Sequence, residues 1–352
     1  MPKRRSSAQS GTSRSTKSRQ SIGSQYGDQS PARTTDSRSS SGLTRVMSTI
    51  NEGFTSDPKQ ITGLGGEAID PGVAKKRRLR GTMGDIIATT KKATIEILAK
   101  TELEGTRFGY MANKWTAPAL DYNSVDNPNL ATVVRVVAGD TYDRALEMLY
   151  AGSDNDHMPV CVLNFANAFN PGGGWLSGAR AQEEQLCYRS TLIDTLHTRF
   201  YPMNDLECIY SPNVIVFRNS VDNGYRFMSA DDKLHENPTV SVISMAARNR
   251  PALVEANGLT YKDKAQKYLM IAKMQLILRT AAHNNHRRLI LGAIGCGAFR
   301  HPPQEVADCW YEVLMKDEFK GWFEKIYFVN KDSPAENNLE IFSETLDGLL
   351  IT

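Results

Sequence analysis

Gln182-Glu183-Glu184 follows the glycine triplet Gly172, Gly173, Gly174 after seven residues, and the stretch from Asn164 to Gly174 (NFANAFNPGGG) trails an apolar run from Pro159 to Leu163. Glycines let backbone amides approach a ligand without interference from Cβ, and a helix entered from such a turn adds its positive dipole end. Two neighbouring carboxyl groups supply an acid for a nearby bond. A second glycine-rich turn, Gly292 to Phe299 (GAIGCGAF), leaves another apolar run, Leu289 to Leu291. Two turns of this kind can clamp the two phosphates of one diphosphate. Neither turn carries the G-x-x-x-x-G-K-[ST] phosphate loop or the G-x-G-x-x-G dinucleotide fingerprint, so the pattern is not that of an ATPase or a dehydrogenase.

Each of these residues also has a plainer reading. Adjacent glutamates on a helix point about 100° apart, so one is expected to hold a ligand hydroxyl while the other acts on a bond. An acidic first turn answering the helix dipole would look the same. Asn167 is either a ligand contact or a loop cap, and Phe299 either a stacking platform or a core aromatic.

The elements that must position these groups begin near Gly84. From there Ile86, Ile87, Ala93, Ile97 and Leu98 share one face at helical spacing, ending near Ala99. Strand patterns follow at 132–137, 160–163, 214–217, 239–243, 289–291 and 325–329, with helical stretches at 141–150, 182–195, 265–283 and 304–315. Short apolar strands alternating with helices predict an α/β sandwich with its sheet buried on both faces. Its ligand is expected off the carboxyl ends of the strands. The region 218–238 reads as an irregular surface excursion.

The chain has 352 residues, 40% hydrophobic and 23% charged, ordinary for a globular protein. Residues 1–50 carry nine Lys/Arg, two Asp and fourteen serines, a net of +7 that leaves −4 for the remainder of a chain whose total is +3. Such a segment buries too little apolar surface to offset its ordering entropy, so residues 1–80 are expected to be a disordered basic tail. Its clusters at 3–5 and 75–80 suit nuclear import or weak contact with nucleic acid, or simply solubility, and the expected location is nuclear or cytoplasmic. Five cysteines without a C-x-x-C pair argue for reduced thiols and against a zinc site. Neither a signal peptide nor a membrane-spanning run is seen.

The triplet, seven residues and Gln-Glu-Glu together resemble the signature of the poly(ADP-ribose) glycohydrolases, which are built on the macrodomain fold. The stretches VLNFANAFNPGGG, AQEEQLCYRSTL, YSPNVIVFRNS, SVISMAARN and GAIGCGAFRHPPQEVA are similar to the microbial-type branch, in order, from about Gly84 to Asn330. The resemblance implies a three-layer α/β/α macrodomain-like sandwich with a central mixed sheet over residues 81–352. It implies Glu184 as the catalytic acid/base, with Glu183 orienting ribose hydroxyls beside Gln182, and Asn167 contacting the distal ribose. Gly172, Gly173 and Gly174 with Gly295, Cys296, Gly297 and Ala298 would enclose the diphosphate, Phe299 would pack on the distal ribose and phosphate, and Asp140 would accept from the adenine amino group.

The implied activity is metal-free and cofactor-free hydrolysis of poly(ADP-ribose), bound free or on modified proteins, with ADP-ribose as product. A carboxyl that both gives and takes a proton works best near neutrality, which burial beside a second carboxyl promotes. Two alternatives share the pocket: a reader that binds ADP-ribose without chemistry, against which the paired glutamates speak, and a hydrolase of a mono-ADP-ribosyl linkage on protein or nucleic acid.

Overall fold

The structure, a computed structural model, describes residues 82–103, 105–151, 159–254, 259–331 and 336–352. The basic tail expected over 1–80, with its clusters at 3–5 and 75–80, lies outside the described residues. In chain order the regular elements are α1 (Met83–Lys100), β1 (Tyr110–Ala112), β2 (Thr132–Ala138), α2 (Thr141–Tyr150), β3 (Val160–Phe165), α3 (Gln182–Arg189), α4 (Leu192–Thr195), β4 (Cys208–Ile215), β5 (Thr239–Met245), α5 (Lys264–His283), β6 (Arg288–Leu291), α6 (Pro303–Leu314), β7 (Lys325–Asn330), α7 (Asn338–Leu346) and β8 (Leu350–Ile351), with short 3-10 turns between them.

Alternation along the central strands decides the layers. Cys161 and Leu163 of β3 and Leu289 and Leu291 of β6 enter one core with Met274, Leu278, Val306, Trp310 and Phe342 from α5, α6 and α7. Val160, Val162 and Ile290 enter the opposite core with Tyr142, Ala145, Leu186 and Leu192 from α2, α3 and α4. Side chains on a strand point alternately to its two faces, so an uninterrupted apolar strand requires a helical layer on each side. The result is an α/β/α sandwich around one mixed sheet of order β1-β4-β5-β3-β6-β7-β2-β8. β5, β3, β6, β7 and β2 run parallel, whereas β1, β4 and β8 pair antiparallel at the edges. All the parallel strands therefore deliver their carboxyl ends, and the loops beyond them, to one edge of the sheet.

The expected strands are all present, with β4 beginning six residues earlier, at Cys208 rather than Val214. Two other expectations change. The helix foreseen over 182–195 breaks at Ser190, whose φ of −149° and ψ of 176° are extended. The free carbonyl of Arg189 there accepts from the amides of Phe217 (2.9 Å) and Arg218 (3.2 Å), tying α3 to the segment after β4. The excursion over 218–238 is only partly superficial: Phe227 and Leu234 pack with Ile215 and Phe217 against Ala93 and Ile97 of α1. That helix starts in a capping box between Thr82 and Asp85. The short edge strands β1 and β8 and the helix α7 had no clear pattern in the sequence.

All five cysteines are buried and unpaired. Among the described residues no helix is long and apolar enough to cross a membrane, and no three His, Cys, Asp or Glu side chains group to hold a metal.

Phe328 of β7 is fully buried between Trp310, at 5.3 Å between ring centroids, and Phe342, at 5.9 Å. Phe328→Ala should lower unfolding free energy by about 3–5 kcal/mol, read by urea denaturation of the purified protein.

Candidate active site

Loops after β2, β3, β5, β6 and β7 surround a cleft of about 450 Å³, within the ordinary range for small-molecule sites. Its walls include Asp140, Asn167, Gln182, Glu183, Glu184, Gly295, Gly297, Ala298 and Phe299. Sequence positions 140 to 299 thus converge because parallel strands end together.

Helix α3 enters the cleft at its N-terminus. Gln182 is fixed to the end of β3 as though it were another strand: its Oε1 accepts from Phe165 N at 2.9 Å and its Nε2 donates to Leu163 O at 2.7 Å. Glu183 and Glu184 follow in the first turn, but an exposed acidic turn is not what they form, for they are 3% and 7% exposed. Glu183 Oε2 accepts from Asn167 N at 2.8 Å, and Glu184 Oε1 accepts from Gly174 N at 2.8 Å. Although a helix turns 100° between them, the two carboxyl groups flank one peptide. A Cβ placed on Gly173 would lie 2.5 Å from Glu184 Oε1 and 2.7 Å from Glu183 Oε2.

The glycine triplet therefore stands behind the carboxyl groups and does not itself line the cleft. Gly172 and Gly173 take φ of +69° and +59°, the left-handed region that favours glycine, and this curls the loop over the helix start. Asn167 shapes the same loop: its Oδ1 accepts from Phe169 N (2.8 Å) and Asn170 N (3.0 Å). It is a loop cap and a cleft residue at once.

Burial pushes the Glu183 carboxyl up to about 8, helped by the charge of Glu184 and opposed by the Asn167 amide. Behind it Asn164, fully buried, donates from Nδ2 to Ser244 Oγ at 3.0 Å and reaches Glu183 Oε1 at 3.5 Å. Glu184 Oε2 is buried with no hydrogen-bond partner, so one oxygen of this carboxyl is held by the loop and the other is left to a ligand.

The turn after β6 supplies the opposite wall. Its internal bonds run from Cys296 N to Ala293 O (3.1 Å), Arg300 N to Gly297 O (3.0 Å) and His301 N to Gly295 O (3.0 Å). The amides of Gly295, Gly297, Ala298 and Phe299 donate to no acceptor among the described residues. Convergent free amides of this kind form an anion-binding concavity. Gly295, at φ +81°, allows the ring of His301 to stand where a Cβ would be 2.6 Å from Cδ2. His301 is in turn fixed by Tyr261 Oη at 2.7 Å and Arg248 O at 2.6 Å, and burial lowers its basicity. Cys296 is buried with the core residues and does not line the cleft. Phe299 serves both readings: it lines the cleft and packs on that core.

Asp140 caps α2, with Oδ1 accepting from Tyr142 N (2.9 Å) and Asp143 N (3.2 Å). The same oxygen pairs with Arg189 at the far end of α3, whose side chain is 1% exposed and also pairs with Asp143. Oδ2 is left for a ligand. Arg189 escaped sequence reading, although it lies seven residues, two helical turns, after Gln182 and so on the same face. Asn330, at the end of β7, was also missed. Its Oδ1 accepts from Ala293 N at 3.1 Å and its Nδ2 donates to Asn338 O at 3.5 Å, joining the β6 turn to the start of α7. No spacing pattern marked it.

Residues 83–219 match the family model described as microbial-type PARG, catalytic domain. Among solved structures, a poly(ADP-ribose) glycohydrolase from Thermomonospora curvata is 27% identical, with a TM-score of 0.62, over 76% of this chain and 100% of that one. The same enzyme bound to the inhibitor ADP-HPD is 26% identical, with a TM-score of 0.60, over 75% and 99%. A poly(ADP-ribose) glycohydrolase from Deinococcus radiodurans in complex with ADP-ribose is 27% identical, with a TM-score of 0.54, over 70% and 98%. Among curated proteins none matches.

Two outcomes test this geometry. Gly173→Ala should destabilise the protein by about 1–3 kcal/mol, since it strains a left-handed residue and collides with both carboxyl groups. Gly297→Ala, whose Cβ would meet only Glu336 Oε1 at 3.5 Å, should change stability by less than about 0.5 kcal/mol. Urea melts of the two variants compare them directly. The raised Glu183 carboxyl sets a pH dependence as well. It is neutral in the fold below about 8 but ionised in the unfolded chain above its ordinary value of 4.5. Its contribution is thus fully present below 4.5 and is lost as pH rises through 8. Melting temperature should fall between pH 5 and pH 9 by less in Glu183→Gln than in the wild type.

Proposed function

We infer that this chain, a member of the microbial-type poly(ADP-ribose) glycohydrolase family, hydrolyses the ribose–ribose O-glycosidic bonds of poly(ADP-ribose) and releases ADP-ribose. The observation that carries the reading is the asymmetry of Glu184: Oε1 is held by Gly174 N at 2.8 Å, while Oε2 is buried and unpartnered in a cleft whose opposite wall is a turn of free amides. An acid so restrained keeps one oxygen in a fixed position toward whatever the turn binds.

In this reading the diphosphate sits on the amides of Gly295, Gly297, Ala298 and Phe299, whose partial positive charges answer the phosphate oxygens. Asp140 Oδ2 accepts from the adenine amino group. The distal ribose then lies between Phe299, the Asn167 side chain and Glu183, whose neutral carboxyl below about 8 both gives and accepts hydrogen bonds to ribose hydroxyls. Holding the sugar at both ends places its anomeric carbon beside Glu184, and such positioning removes much of the entropic barrier.

The reaction follows from that placement. Glu184 donates its proton to the oxygen of the leaving ribose as the anomeric C–O bond breaks and positive charge develops on the sugar. Water adds to the anomeric carbon and gives its proton to the Glu184 carboxylate. One water is consumed, two hydroxyl groups are formed, and the carboxyl group is restored. Ordinary glycosidases set two carboxyl groups on opposite sides of the scissile bond. Glu183 and Glu184 flank the same loop peptide, so a single group serves both proton transfers.

Incubating the enzyme with poly(ADP-ribose) and, in parallel, with mono-ADP-ribosylated protein identifies the linkage. ADP-ribose should appear from the polymer, and Glu184→Gln should lower kcat roughly a hundred- to ten-thousandfold while calorimetry shows ADP-ribose still bound. Release from the mono-modified protein alone would replace the substrate, and full activity of Glu184→Gln would remove Glu184 from the chemistry.

A further inference from the structure

Asn338 opens α7 and is 7% exposed, yet it lines the cleft. Its side chain makes no hydrogen bond among the described residues, and Oδ1 is fully enclosed without a partner. An unpaired buried amide oxygen costs free energy in the folded protein, and a native core rarely retains one without a use. The backbone beside it is linked to the neighbouring wall: Asn338 O accepts from Asn330 Nδ2 at 3.5 Å, and Asn330 closes on the β6 turn through Ala293 N at 3.1 Å. The carboxamide is therefore buried at the cleft and completed by none of its neighbours.

The chemistry it would complete is that of a group offering a donor and an acceptor side by side in one plane. A phosphate offers acceptors only and would leave Oδ1 unpaired. An adenine edge offers both, an N6–H beside a ring nitrogen, and asparagine is the side chain that matches this pair with two hydrogen bonds. Position agrees with this: β2 and β7 are adjacent in the sheet, so Asp140 after β2 and Asn330 to Asn338 after β7 border the same end of the cleft.

Resting on the reading of this cleft as an ADP-ribose site, we propose that Asn338 reads the adenine base as a second specificity-determining residue, acting with Asp140. Asp140, an acceptor, senses the amino group alone. Asn338 adds recognition of a ring nitrogen.

Calorimetry with ADP-ribose and with its 1-deaza- and 7-deazaadenine forms separates these contributions, because each form replaces one ring nitrogen by C–H and keeps the amino group. Wild type should bind one of the two forms about tenfold more weakly than ADP-ribose. Asn338→Leu should bind ADP-ribose about tenfold more weakly than wild type and show no further loss with that form. Its melting temperature should equal or exceed that of wild type, because the unpaired oxygen is gone; a residue serving only to hold the fold would give a lower one. Asn338→Asp, which keeps the shape and removes the donor, checks the result if the leucine variant folds poorly. A variant that retains the full wild-type discrimination, or a wild type indifferent to both forms, would overturn the role of Asn338 alone. A wild type that does not bind ADP-ribose would overturn the reading of the cleft.

Discussion

Two main-chain amides govern the site. Asn167 N holds Glu183 and Gly174 N holds Glu184, each at 2.8 Å, and both belong to the loop that leaves β3. A buried carboxyl without such a donor would be driven to lose its charge or its position. With them, two like groups share a small volume in defined orientations. Everything near them follows: glycine at 173 because no Cβ fits between the two carboxyl groups, a left-handed curl at 172 and 173, and an asparagine at 167 whose side chain pins the loop that offers the amides.

Helix α3 transmits that arrangement across the cleft. Its first residue, Gln182, is bonded to the backbone of β3, and its last, Arg189, is buried against Asp140 and Asp143. The helix is only eight residues long, and neither end can slide without breaking buried polar contacts, which is costly. Glu183 and Glu184 at one end and Asp140 at the other are thereby referred to one rigid element. The break at Ser190 serves the same purpose, since the freed Arg189 carbonyl is taken by Phe217 and Arg218.

How much of this the sequence disclosed depended on the kind of signal. The central strands were legible because two-sided burial demands uninterrupted apolar runs, and β3 and β6 satisfy it residue by residue. The edges were not: β1 and β8 are three and two residues long, held by register with β4 and β2 rather than by their own composition. Helix α7 begins beside polar residues and was passed over. At the site, the motif located Glu183, Glu184 and both turns, but it could not show that the triplet supports the carboxyl groups from behind, because that depends on where side chains fold back. Arg189 and Asn330 act through partners on other elements, 49 and 37 positions away, and Asn338 matters through its burial, and a linear pattern does not record either.

The Asn330 side chain has one more consequence. Its carboxamide spans the gap between Ala293 N, in the turn of free amides, and Asn338 O, at the head of α7. The separation of those two walls is thus measured by one planar group of fixed size. It works as a caliper across that end of the cleft, and a relative whose cleft took a wider or narrower ligand would be expected to have reset that caliper before changing the residues that line it.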